Sequence, residues 1–193
     1  MTGLMDRREA VARLLQDRSE LLVVSGLGSP SYDVMAAGDH DNNYYLWGAM
    51  GSAAMIGLGL ANARRERPVL VLTGDGEMMM GLGSLATIAV SAPPNLSIGV
   101  IDNGHFGETG MQKSHTGHGI SINGVAESLG FSWTRDIGDL GGVDEFRNRL
   151  ALNQGPQLAS LKVVAENPPR VLPSRDGVHI KNRFRASLGF QPI

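Results

Sequence analysis

Val69-Leu-Val-Leu72 runs into Thr73-Gly74-Asp75-Gly76-Glu77, and a second apolar run, Leu96 to Ile101, stops at Asp102-Asn103-Gly104-His105. Between the two lies a helical pattern reaching Ser91, ended by Pro93-Pro94, which cannot continue it. The whole stretch reads strand, tight acidic turn, helix, strand, polar turn. Two parallel strands joined by a right-handed crossover bring Asp75 and Asn103 side by side at the carboxyl edge of a sheet. A carboxylate and an amide oxygen there, beside glycines that let backbone approach closely, suit Mg²⁺ carrying a diphosphate. Helix N-termini near Gly76 and Gly104 are expected to turn backbone N–H groups toward the same anion.

Outward from this core the α/β alternation continues. Asp6 to Arg18 reads as an amphipathic helix with Val11, Leu14 and Leu15 on one face, and Leu21 to Ser25 as a short buried strand. Gly26-Leu-Gly-Ser-Pro-Ser31 reads as a loop, and at the end of a strand Gly28 and Ser29 form a possible second anion-binding turn. Asp39 to Tyr45 is polar and irregular, and Leu46 to Gly51 leads into an Ala/Gly-rich helix ending near Arg64. Residues 42–63 carry no charge, yet small residues dominate there, which fits a helix packed against a sheet better than one facing lipid. On the far side come a glycine-punctuated loop from Gly104 to Thr116 and a helix from Ser121 to Leu129. A strand from Phe131 to Thr134, a helix from Val143 to Leu152 and a strand from Gln157 to Val164 follow. Pro168, Pro169 and Pro173 open a tail, 166–193, expected to lie as an arm on the domain or on a partner.

Composition narrows the function. At 193 residues with a net charge of -2 the chain fits one α/β domain with no basic surface for nucleic acid. It contains 0 cysteines, which removes disulfides and thiolate metal sites. Met1 to Arg18 is charged throughout and holds no apolar leader, so a cytoplasmic protein without a membrane anchor is expected. The 104–116 loop is rich in titratable groups: Glu108, His105 and His115 are candidates for substrate contact or proton transfer. His115 and His118 have the spacing of half a metal site, without a carboxylate at matching distance.

Gly74-Asp75-Gly76 followed by Asp102-Asn103 resembles the GDG…NN signature of the thiamine diphosphate enzymes. The resemblance implies Mg²⁺ held by Asp75, Asn103 and the main-chain carbonyl of His105, with Asp102 standing where the family has its first asparagine. It implies that Gly28 and Ser29, with Gly74, Gly76 and Glu77, hold the cofactor's diphosphate end. Leu46-Trp-Gly-Ala-Met-Gly51 is similar to the family's Gly-Ser-hydrophobic-Gly turn. By that likeness Gly48 offers a carbonyl to the aminopyrimidine, and Met50 wedges between the two rings and bends the cofactor. The fold implied is a three-layer αβα domain with a central, mostly parallel sheet, the diphosphate-binding (PP) type, over 1–165.

In this family the glutamate that activates the pyrimidine lies on a separate pyrimidine-binding (Pyr) domain of comparable size, and 193 residues cannot hold both. The resemblance therefore implies an α-type Pyr-domain subunit, a hetero-oligomer, and an active site between the chains. The implied activity is decarboxylation of a small 2-oxo acid, with Glu108 and His115 as catalytic candidates and a sulfo- or phosphonopyruvate-like acid as one substrate class. A carboligase of the acetolactate synthase kind shares the same motifs. A non-catalytic phosphate-binding module is the third reading, opposed by the absence of G-x-G-x-x-G and G-x-x-x-x-G-K-[ST] patterns.

Overall fold

Side-chain alternation in the strands decides the layers. In β3 (Val69–Gly74), Leu70 and Leu72 enter one core while Val69 and Val71 enter the other. The same division runs through β1 (Leu22–Ser25), where Val23 opposes Leu22 and Val24. In β4 (Leu96–Asp102), Ile101 opposes Leu96, Ile98 and Val100. A sheet buried on both faces needs helices on both sides, and the computed structural model, which describes residues 4–191, has that arrangement. Met1–Gly3, Pro192 and Ile193, at the ends of the two expected units, lie outside the described residues.

The sheet has six strands in the order β2-β1-β3-β4-β8-β7, every pairing parallel. Here β2 is Asn43–Tyr45, β7 is Trp133–Ile137 and β8 is Gln157–Lys162. One face carries α1 (Arg7–Leu14), α2 (Ser29–Ala36) and α7 (Leu140–Arg149), whose Val11, Leu14, Val34, Val143 and Phe146 belong to the first core. The other carries α3 (Ala53–Ala63), α4 (Asp75–Met80), α5 (Ser84–Ser91) and α6 (Ile122–Ser128). The chain passes from β1 outward to β2 and then back across to β3. The carboxyl ends of β1 and β3 thus flank a topological switch point, where ligands bind in open α/β sheets.

The expected three-layer fold is what the structure has, and several element boundaries are corrected. Ser29 is not in a loop but opens α2: Pro30 lies at the start of the helix, where its missing N–H costs nothing. The single helix expected to Ser91 is two, broken at Gly81-Leu82-Gly83, whose two glycines weaken a helix, and Gly81 is glycine where a side chain would overlap the Gly51 carbonyl. The irregular 39–45 stretch ends in the edge strand β2, held by main-chain pairing despite its polarity. Strand β7 begins two residues later than Phe131, and α7 begins at Leu140 because the Asp139 side chain caps Gly142 N–H at 2.8 Å.

No helix begins at Gly104. Instead β5 (His105–Phe106) and β6 (Gln112–Lys113) form a small antiparallel pair, followed by a 3₁₀ turn, Thr116–His118. Gly104, at φ 68°, and Gly117 bring their backbones into contact, which folds this loop back over Asp75. In the tail, Asp176 caps α8 (Gly177–Ser187), and Ile180 and Phe184 are buried, Phe184 edge-on to Tyr44 at 5.4 Å. No helix among the described residues is long and apolar enough to cross a membrane.

Candidate active site

Parallel pairing of β3 and β4, with Gly74 opposite Ile101, delivers Asp75 and Asn103 to the same edge of the sheet. Both line one cleft of about 130 Å³, together with Gly74, Gly76, Glu77 and His105. Leu27 and Ser29 from the end of β1, Met50 from the turn before α3 and Glu108 from the β5–β6 loop complete it. With Arg7 from α1, five segments distant in sequence therefore meet at the switch point. Gly28 lies just behind, at φ 75°, with Glu108 Cγ 3.1 Å from where its Cβ would be. Gly48 sits on an exposed turn outside the cleft lining, whereas Met50 is 43% exposed within it. His115 is exposed and outside the lining, its ring 6.3 Å from that of Phe106.

Asp75 is nearly buried, and its Oδ2 accepts hydrogen bonds from the Ser114 and Thr116 hydroxyls, the latter at 2.8 Å. Burial pushes the Asp75 carboxyl above the usual range; Ser114 and Thr116 oppose this, and the neighbouring Asp102 charge adds to it. Among the described residues no cationic side chain pairs with Asp75. Asp102 differs: Lys162 donates to its Oδ2 at 2.6 Å, Thr116 to its Oδ1 at 2.7 Å and Gly104 N–H to Oδ1 at 3.1 Å. The Thr116 hydroxyl has one proton and faces two carboxylate oxygens, so the pair is short of positive charge. Asn103 Oδ1 accepts the His105 N–H at 2.9 Å and, as an amide oxygen, keeps a second lone pair.

Glu77 is buried beneath the turn at Gly26-Leu27 and the turn at Gly51. Burial pushes its carboxyl up, opposed by the Thr73 hydroxyl and the amides of Leu27, Gly51 and Ala53. Of these, Leu27 N–H makes a full hydrogen bond, 3.0 Å from Oε2, and Oε1 is left without a partner. Glu108 is more accessible and receives Ser29 Oγ at 3.2 Å and Arg170 Nη2 at 2.9 Å. Gly76 has its own reason to be glycine, since a Cβ would come 2.6 Å from the Phe106 ring.

Sequence reasoning missed Ser114, Thr116, Lys162, Arg7 and Arg170. Lys162, Arg7 and Arg170 reach the site from distant segments, and within the 104–116 loop nothing local sets Ser114 and Thr116 apart from their polar neighbours. His115 and His118 gain no third ligand: among the described residues no group of three or more His, Asp or Glu is placed to hold a metal.

The model of the thiamine pyrophosphate enzyme C-terminal TPP-binding domain matches residues 30–138. Sulfopyruvate decarboxylase subunit beta of Methanothermobacter thermautotrophicus is 37% identical over 181 residues, covering 94% of this chain and 94% of its own length. Phosphonopyruvate decarboxylase of Streptomyces hygroscopicus is 36% identical over 93% of this chain, which spans 45% of that relative. Among solved structures, benzoylformate decarboxylase from Polynucleobacter necessarius superposes with a TM-score of 0.66 at 18% identity, over 86% of this chain and 34% of that one. At that identity the likeness concerns the fold.

Proposed function

Because the chain belongs to the thiamine pyrophosphate enzymes, through their C-terminal TPP-binding domain, we propose that it is the β-type, PP-domain subunit of a heteromeric 2-oxo acid decarboxylase. Its substrate is a sulfo- or phosphonopyruvate-like acid, its cofactors are thiamine diphosphate and Mg²⁺, and it works in the cytoplasm. The reading is supported above all by Asp75 and Asn103 lining one cleft at the switch point, with Asp75 buried and, among the described residues, in no ion pair.

The residues present fit the group. Asp75, Asn103 Oδ1 and the His105 carbonyl are hard oxygen donors of the kind Mg²⁺ takes alongside phosphate oxygens. Two carboxylates share the single Lys162 cation, and a divalent ion would supply the charge whose lack leaves Asp75 uncompensated. The Ser29 hydroxyl and the backbone at Gly28, Gly74 and Gly76 would hold the diphosphate, and Gly48 and Met50 would orient the rings. Glu77 serves from below, holding the Leu27 amide and with it the turn that leads into Ser29 at the start of α2. When bound, the cofactor's thiazolium provides the electron sink that loss of CO₂ from a 2-oxo acid requires.

Glu108 is the residue we assign to proton transfer near the substrate carbonyl, held in place by Ser29 and Arg170. His115, on the loop above Phe106, is assigned to substrate contact once a partner covers this face. That partner is an α-type Pyr-domain subunit supplying the activating glutamate.

The test is calorimetry of thiamine diphosphate binding to the full chain with and without Mg²⁺, repeated with Asp75→Ala, followed by CO₂ assay of the complex with its Pyr-domain partner. Mg²⁺-dependent binding abolished by the substitution, with CO₂ released from sulfopyruvate or phosphonopyruvate, is the expected result. Binding indifferent to Asp75→Ala overturns the site. Carboligation products without net aldehyde overturn the reaction.

A further inference from the structure

A second cavity, about 220 Å³, lies beside the cofactor cleft, and Arg7, Ser29 and Glu108 line both spaces. Its other walls come from α1, α2 and the stretch after β8 that contains Asn167 and Arg170. Its arginines differ in how they are used. Arg7 is committed, its Nε 2.7 Å from Asp33 Oδ2 with both side chains buried. Arg8 leans on the same carboxylate at 3.5 Å and donates through Nη2 to the Pro169 carbonyl, while its Nε has no hydrogen-bond partner. Arg170 lies with its guanidinium 5.7 Å from the Tyr32 ring centroid and is held by the Glu108 carboxylate. Three guanidinium groups thus face two carboxylates, and one positive charge is left over.

Glu108 stands in the doorway between the two spaces, receiving Ser29 on one oxygen and Arg170 on the other. An anion already occupies the position where an incoming anion would bind. A 2-oxo acid whose far end is a methyl group gains nothing from such a wall. One with a tetrahedral anionic head gains charge-assisted hydrogen bonds from planar guanidinium forks.

We propose that this cavity binds the distal sulfonate or phosphonate of the substrate through Arg170 and Arg8, while the 2-oxo acid end stays in the cofactor cleft. The assignment rests on the decarboxylase reading above and adds to it where selectivity resides. As the substrate's anion takes Arg170, Glu108 is released toward the cleft, so the group assigned to proton transfer comes free only with an anionic substrate in place.

Sulfoacetate and phosphonoacetate, with acetate as the control, are titrated into the full chain and followed by NMR shifts and calorimetry. Both diacids are expected to bind more tightly than acetate. Arg170→Ala and Arg8→Ala are each expected to weaken them about 10- to 100-fold, the range for losing a hydrogen bond to a charged group. Arg147→Ala, on α7, leaves binding unchanged, and thermal melting verifies that each variant is folded. Absence of diacid binding, or equal binding by wild type and both variants, overturns the proposal. Saturating thiamine diphosphate and Mg²⁺ separates the two possible sources of an anion. Diacid binding that persists assigns the pocket to substrate, whereas competition gives it to the cofactor's own diphosphate and overturns the assignment. Arginine-dependent diacid binding in a chain whose complex releases CO₂ from neither sulfopyruvate nor phosphonopyruvate refutes the decarboxylase reading and leaves the anion pocket standing.

Discussion

A methyl group added at Gly26 would land on the Glu77 carboxylate, so these two positions, far apart in sequence, are one structural decision. Gly26→Ala must push Glu77 off the Leu27 amide, and we expect a loss of about 1–3 kcal/mol, the usual cost of overpacking. Chemical denaturation measures it, and a neutral outcome means Glu77 is not holding that loop. Asp75 is predicted to behave in the opposite sense. It is a carboxyl whose burial raises its pKa, so in the metal-free chain its contribution is unfavourable above the folded value and is relieved as pH falls toward the unfolded one. Asp75→Asn keeps an acceptor for Ser114 and Thr116 and removes the charge. Without Mg²⁺ at neutral pH the variant is expected to melt no lower than wild type, yet to lose the rise in melting temperature that cofactor and Mg²⁺ give the wild type. A variant that melts well below wild type without Mg²⁺ contradicts this account of the buried charge. The identity of Asp75 was legible from its turn, but the hydroxyls that aim it were not: Ser114 and Thr116 sit in a polar run where every residue looks alike.

Among the elements, α3 shows local preference and tertiary packing pulling in opposite directions. Gly57 lies mid-helix, where alanine is worth about 1 kcal/mol more on propensity alone. Its Cα faces β3, however, and a Cβ would overlap Val71 Cγ2. We expect Gly57→Ala to destabilise by about 1–2 kcal/mol, the overpacking cost outweighing the propensity gain; urea midpoints decide, and a stabilised variant would show that α3 can slide on the sheet. The break between α4 and α5 has the same origin. The periodic pattern through Met78, Leu85 and Ile88 allowed one helix, and the chain leaves it at Gly81-Leu82-Gly83, where the Gly51 carbonyl comes too close to Gly81 for a side chain. Buried parallel strands were readable as continuous apolar runs. The polar edge strand β2 was not, because its place is secured by main-chain pairing with β1 rather than by side chains.

At the scale of the whole molecule the C-terminal helix is bound by a few identifiable ties. Phe184 packs on Tyr44, and Arg183 donates to Asp39 Oδ2 at 2.5 Å. Phe184→Ala is expected to cost about 3 kcal/mol in denaturant unfolding, as for other buried aromatics; a loss under a third of that would mean α8 adds little to the fold. Burial pushes the Asp39 carboxyl up, but hydrogen bonds from Arg183, Tyr45 and the His40 amide outweigh it, and the group sits below the usual carboxylate range. Its contribution is therefore present above the ordinary unfolded pKa and lost as pH falls through the depressed folded value. Asp39→Asn should flatten the acid side of the melting profile below about pH 4, and an unchanged profile removes Asp39 from that role. The same tail carries Arg170 to the rim of the site. Taken alone, the order of apolar runs and glycine turns determined the layered α/β plan and the edge where Asp75 and Asn103 emerge, because strand burial and turn chemistry are local and periodic. Which remote side chains neutralise, aim or wall that edge — Lys162, Ser114, Thr116, Arg7, Arg170 — was decided only in three dimensions, since charge compensation acts through space and leaves no spacing along the chain.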